Sequence, residues 1–285
     1  MPLHALAILI LAAALHACWN LLVKRAGEKQ VFTWWAIIVG SFCFLPVVLF
    51  SPALPTRVYP YILASAIAEA AYFVALTLAY KYGDFSLVYP IARGAAPALL
   101  LIWTTIFLGE RRTPQELIGV AILLLGLMVV GGGGWWAQRQ GVKLSKAAIF
   151  SALLVALCIS IYSVIDGAAV KFVPAAPYTT VVLGVTGLLT APAVLVRYGR
   201  QAMVAEWRAN WVRICIVGVL SLVTFVLVLF VYSFAPVGLA GAVREISVVF
   251  AALLGWWWLN EGFGLLRTIG AALIFAGILT IALAG

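Results

Sequence analysis

Two stretches of this chain, 93–126 and 244–277, are copies of one design at a constant offset of 151 residues. The offset lays Arg93 on Arg244, Leu108 on Leu259, Glu110 on Glu261, Ile118 on Ile269, Gly119 on Gly270, Ala121 on Ala272 and Gly126 on Gly277. Ungapped matches that include charged residues inside apolar runs are not an accident of biased composition, and an internal repeat of this length sets the whole architecture. Each copy is an apolar run, a short polar turn and a second apolar run. The chain reads as a duplicated membrane protein.

The solvent follows from the lack of polar surface. Of 285 residues, 66% are hydrophobic and 9% charged, with a mean hydropathy of +1.16. Soluble domains carry about 25% charged residues. Backbone groups in lipid need internal partners, so spans are helices or closed barrels. The apolar runs here exceed about 18 residues without alternation, which predicts helices. The net charge of +9 does not imply nucleic acid, because most Lys and Arg fall in short loops, where they set topology and meet anionic headgroups. Cys18, Cys43, Cys158 and Cys215 lie within apolar spans without a C-x-x-C, and read as small buried residues. The N-terminus lacks a basic n-region and an A-x-A site, so the first span is expected to be retained.

The pattern predicts an all-α integral membrane protein of ten helices, near 4–24, 31–50, 58–81, 85–108, 114–136, 147–171, 177–197, 210–234, 236–259 and 264–284. The linker 137–146 divides a first unit, 1–136, from a second, 147–285. Five helices is an odd number, so the second unit starts from the opposite face. The halves then form an inverted-topology repeat around a central cavity, with a substrate site near the bilayer midplane. Thr113-Pro114-Gln115-Glu116 is a capping box with Pro at the first helical position. Gly131–Gly134 is expected to end the fifth helix, and Trp135 and Trp136 to anchor at the interface. Trp34, Trp35, Trp207, Trp211 and Trp256–Trp258 read as an aromatic belt or, alternatively, as substrate contacts. Gly119, Gly126, Gly270 and Gly277 recur at seven-residue spacing and are expected to let helices pack closely. Twelve Lys and Arg on one face against four on the other place both termini outside the cytoplasm.

Ionisable residues inside spans are costly and are candidates for function. They are His16, Glu69, Arg93, Asp166, Arg244 and Glu245. Arg93 lies about 12 Å deep, Glu69 about 18 Å from the same face, and Asp166 about 8 Å from the face nearest Arg244, at 1.5 Å per residue. Depth therefore pairs Glu69 with Arg93 and Asp166 with Arg244; the competing reading is that each arginine snorkels to the headgroups. His16, Trp19 and Asn20 share one face of the first helix, as Tyr162 and Asp166 share a face of the sixth, with Ser163 adjacent. Tyr72 lies near Glu69, and Tyr89 one turn before Arg93. Such a cavity, aromatic with a few polar groups, suits an amphipathic metabolite or an aromatic amino acid; the same aromatics also serve as core or lipid-facing residues. Pro90 and Pro97 interrupt the fourth helix and offer a hinge or a static kink. In the ninth helix Gly238, Gly241 and Gly255 are the soft points. No cofactor, metal site or catalytic set is expected: there is no G-x-x-x-x-G-K-[ST], D-x-x-x-D or H-E-x-x-H, which argues against a membrane-embedded transferase.

The segment LGERRTPQELIGVAILLLGLMVV and its echo LNEGFGLLRTIGAALIFAGILTIA resemble the Glu-turn-helix signature that ends each half of EamA-type proteins, in the drug/metabolite transporter superfamily. The opening ALHACWNLLVKRAG resembles that family's first helix. The resemblance covers both repeats. It implies a ten-helix inverted repeat around a central cavity, and export of amino acids, aromatic ones included, or related metabolites across a bacterial-type inner membrane. Multidrug or cation efflux is the alternative. Such proteins are usually drawn with both termini in the cytoplasm, opposite to the charge count. A protonatable Glu69, Asp166 or Glu245 would permit proton coupling; a facilitator fits equally.

Overall fold

The computed structural model describes residues 1–82, 85–137, 146–251, 253 and 265–284, with the side chains of Lys24, 77–91, 131–137, 265 and 267 outside that description. No strand occurs among the described residues. Helix α1 is Leu3–Lys24, α2 Lys29–Cys43, α3 Leu45–Phe50, α4 Tyr59–Tyr82, α5 Phe85–Leu108, α6 Pro114–Ala137 and α7 Lys146–Ala169. Then come α8, Ala175–Phe234, and α9, Val237–Val243, which passes through a 3-10 turn at Arg244–Ile246 into helix over 247–251; α10 is Leu265–Leu283.

Several expected boundaries move, each for a physical reason. Pro46 has no N–H to offer the preceding turn, so the second span breaks at Phe44 (φ −94°, ψ 2°) into α2 and α3. The glycines 131–134 do not end a helix: α6 continues through them to Ala137. In lipid an unpaired backbone costs more than the low helix propensity of glycine. The expected polar loop 198–209 is helical. The turn is confined to Gly199, whose φ of 74° and ψ of 161° suit a residue without Cβ, and α8 is thus two arms, 175–198 and 200–234. Buried Met203, Glu206 and Ile214 space the second arm's inner face at helical intervals. Helix α5 is helical through both Pro90 and Pro97. Residues 138–145 of the linker, Gly255, Trp256–Trp258 and Glu261 lie outside the described residues, as do the side chains of Trp135 and Trp136.

The glycine seam fixes the relation between the halves. A Cβ on Gly119 would sit 2.9 Å from the Gly277 carbonyl oxygen, and one on Gly126 2.7 Å from that of Gly270. Both contacts are reciprocal, at 2.6 Å and 2.8 Å. So 119 meets 277 and 126 meets 270: α6 and its twin α10 run antiparallel, backbone on backbone. The twins α5 and α9 also run antiparallel, with the Leu100 side chain against Gly241 and that of Thr104 against Gly238. So do α2 and the first arm of α8, where Ile38 meets Gly187 and Ser41 meets Gly184. Segments related by the 151-residue offset are therefore inverted. The α4–α7 and α1–α8 packings are the matching cross-repeat contacts.

Large apolar residues such as Phe107, Met128, Leu188, Val196 and Phe275 stand on the outer surface, the pattern of a lipid-facing wall. Cys18 and Cys43 share that exposure, so only Cys158 is buried as expected, and all four are free thiols. Trp34 and Trp35 are not belt residues. Their indole N–H groups donate to the carbonyls of Gly187 (2.9 Å) and Met203 (3.1 Å), binding α2 to α8. Trp35 also packs on Trp207, whereas Trp211 is exposed.

Candidate functional site

The deepest charged cluster forms where α5 crosses the 3-10 turn of its twin. Arg93 projects from α5, and Arg244 and Glu245 from the turn. The Arg93 guanidinium donates from Nη1 to both Glu245 oxygens, at 3.1 and 3.0 Å. Arg244 Nη2 lies 3.7 Å from Glu245 Oε1. The Glu245 side chain is 1% exposed. His16 Nε2 stands 3.0 Å from Arg93 Nη2. A guanidinium can only donate, so that nitrogen must accept, and the imidazole is neutral there. Trp19 meets His16 edge to face at 4.7 Å. Asn20 instead donates to the His16 carbonyl of its own helix.

The expected pairs of Glu69 with Arg93 and of Asp166 with Arg244 do not form. Glu69 accepts from the Thr186 hydroxyl at 2.8 Å, and Asp166 Oδ1 from the Tyr178 hydroxyl at 2.7 Å. Both arginines turn to Glu245, so neither snorkels. Rise per residue orders side chains along a helix, but the direction in which each points about the axis depends on packing. The two clusters are still neighbours. Tyr162, one turn before Asp166, meets Tyr72, three residues after Glu69, ring to edge at 6.3 Å. Asp166 lies within reach of Arg244. Ser163 is buried on α7 without a hydrogen bond. The side chains of Tyr89 and Pro90 lie outside the described residues, while Pro97 is buried in α5.

One asymmetry was available in the sequence but missed. The 151-residue offset lays Glu245 on Gly94, so the first copy has an arginine and no acid beside it. Two guanidiniums share one carboxylate. A Cβ on Gly94 would meet nothing within 4 Å, so there is open space next to Arg93.

Two carboxylates outside this centre clamp the fold. Glu110 accepts from the backbone N–H groups of Val237 and Gly238, the latter at 3.1 Å, capping α9, and pairs with Arg112, which also donates to Thr104. A Cβ at Gly238 would meet the Arg112 guanidinium and the Thr104 hydroxyl. Burial pushes the Arg112 pKa down, against the pull of Glu110 and then Glu116. Lys171 donates to the Ala235 carbonyl on the same side at 3.3 Å. Glu206 accepts from the Glu28 N–H at 3.0 Å and from Asn210 at 2.7 Å, tying the α1–α2 loop to α8. Treating Glu110 only as a repeat marker, and 198–209 as loop, hid both. An apolar cavity of about 460 Å³ opens sideways between α4, α7 and α8, lined by Ile67, Ala70, Val74, Leu154 and Leu189.

Five described helices are long and apolar enough to cross a membrane. With buried charges gathered between inverted copies, they define an all-helical integral membrane protein of the solute-carrying kind. The family model described as EamA-like transporter family matches residues 3–132 and again 146–283. The chain belongs to that family, within the drug/metabolite transporter superfamily, whose members are transporters. A solved crystal structure of a protein superposes with a TM-score of 0.77 at 19% identity over 99% of each chain, which establishes the likeness of fold. No curated protein matches.

Proposed function

We propose that this protein is a secondary transporter that exports amino acids, aromatic ones among them, or related small metabolites across a bacterial-type inner membrane by alternating access. The observation that carries this reading is the sharing of Glu245 by Arg93 and Arg244. The Arg93 and Arg244 guanidiniums converge on this one buried carboxylate, and a substrate carboxylate seated beside it would take charge-assisted, fork-shaped hydrogen bonds from them. Tyr72, Tyr162 and Trp19 supply an aromatic wall around it. Access would change through the 3-10 turn that carries Arg244 and Glu245, a common mark of a hinge, with Pro90 and Pro97 as its counterparts in α5. The Glu110 clamp would hold one mouth shut in the present state.

A second reading, efflux of organic cations, gains support from Glu69 and Asp166, whose hydrogen bonds come from hydroxyls alone. Competition transport in proteoliposomes over the twenty amino acids and a set of cationic dyes, with and without a proton gradient, separates the two. Competition by amino acids, with dyes inert, is the expected result. Dye transport that no amino acid inhibits would overturn the reading. Acceleration by an imposed gradient identifies proton coupling; indifference to it identifies a facilitator.

A further inference from the structure

Beside the arginine centre lies a second polar cluster with an unmet need for partners. Glu69 on α4 and Asp166 on α7 are both more than nine-tenths buried, on two helices that pack against each other. The Thr186 hydroxyl has one hydrogen but faces two acceptors, Glu69 and the Val182 carbonyl, so Glu69 shares even its one donor. Ser65, fully buried one turn before Glu69, faces the Asp166 carboxylate. Ser163, three residues before Asp166, Trp19 Nε1 beside His16, and the Tyr232 hydroxyl near Gly241 are buried without partners. Buried polar groups are nearly always paired, and each one left unpaired costs about 1–3 kcal/mol. Trp19 Nε1 lies beside His16, which touches Arg93, and the Tyr232 hydroxyl lies beside Gly241, three residues before Arg244. A polar ligand seated among them would give these groups partners.

We infer that Glu69 and Asp166 form an amine subsite, binding the ammonium of a zwitterionic substrate whose carboxylate lies on Arg93 and Arg244. The inference rests on the carboxylate reading above and extends it. An ammonium has three N–H donors and no acceptor. Two carboxylates and a serine hydroxyl offer it three acceptors, and desolvation inside the bundle strengthens each bond. Tyr162, one turn before Asp166 on α7, meets Tyr72, three residues after Glu69 on α4, so both acids lie along the same α4–α7 interface. The same arrangement reconciles the two readings of function: the arginines select for a carboxylate, the acid pair for a cation, and only a molecule with both satisfies the centre. Organic cations without a carboxylate leave the arginine charge unmet, and simple carboxylic acids leave the acids and serines unpaired.

The test uses two probe pairs on the purified full-length protein in nanodiscs: L-phenylalanine against 3-phenylpropionate, and L-alanine against propionate. Each pair differs only by the amine. The wild type is expected to prefer the amino acid of at least one pair by about tenfold or more, the worth of one charge-assisted hydrogen bond. In Glu69→Gln and Asp166→Asn that preference falls toward unity while binding of the des-amino acid is retained, which also reports that the variants fold. Equal binding within both pairs by the wild type overturns the amine subsite but leaves the carboxylate reading standing, and it does so whether or not the variants fold. Failure of all four compounds to bind sinks both. An amine preference that survives both substitutions, with only the pH dependence of transport lost, would make the pair a proton carrier and overturn the inference.

Discussion

Glu245 is the residue on which the centre turns. It accepts from Arg93 and faces Arg244 while almost wholly shut off from solvent. A buried ion pair adds little net stability over an apolar substitute, but removing one partner strands the other, at about 3–5 kcal/mol. Glu245→Ala strands two guanidiniums at once. The expected outcome is a large fall in the thermal midpoint of the detergent-purified protein, larger than that of Arg244→Ala, which leaves the Arg93–Glu245 pair whole. Equal falls would mean that Glu245 does not serve both. At this scale the sequence shows which charges lie inside spans and not whom they bind. His16, Arg93, Arg244 and Glu245 stood out as charges inside spans, and they do converge. Rise per residue gives depth to within a turn. It says nothing of rotation about the axis, so Glu69 and Asp166 were assigned to arginines when they face hydroxyls of α8.

Elements owe their positions to glycine as much as to apolar area. In the α6–α10 seam the closest approaches are backbone to backbone, where no flexible side chain can yield. Gly126→Ala puts a methyl 2.7 Å from both the Gly270 carbonyl oxygen and the Ile274 nitrogen, so the helices must part. Gly94→Ala enters open space and gains helix propensity of about 0.5–1 kcal/mol. The two substitutions are chemically identical, and thermal unfolding should move in opposite directions: down for Gly126→Ala, up or unchanged for Gly94→Ala. A fall of equal size in both would remove the seam from the account. The seam was legible because small residues recurred at the same places in both copies. The kink at Gly199 was not, because a dense run of Arg, Gln and Glu looked like a loop. Its inner face was marked by Met203, Glu206 and Ile214, a helical spacing hidden by the surrounding polarity. The 3-10 turn was equally hidden, since nothing in the composition of Arg244–Ile246 distinguishes it from helix.

Across the whole molecule, duplication and inversion supply what neither half has alone. Each copy brings one arginine to the middle, and the twofold relation sets them face to face. The copies differ at one decisive place, where the second has Glu245 and the first has Gly94. A second acid at position 94 would compete with a substrate carboxylate for the two arginines. In the proposed function, that departure from symmetry is what lets a substrate carboxylate reach the arginines. Gly94→Glu restores the missing twin in a position where the structure has room, and Gly94→Gln controls for bulk. The account predicts that Gly94→Glu folds and reaches the membrane like the wild type but loses amino-acid transport in proteoliposomes by about tenfold or more, with Gly94→Gln much less affected. Wild-type transport by Gly94→Glu would contradict it.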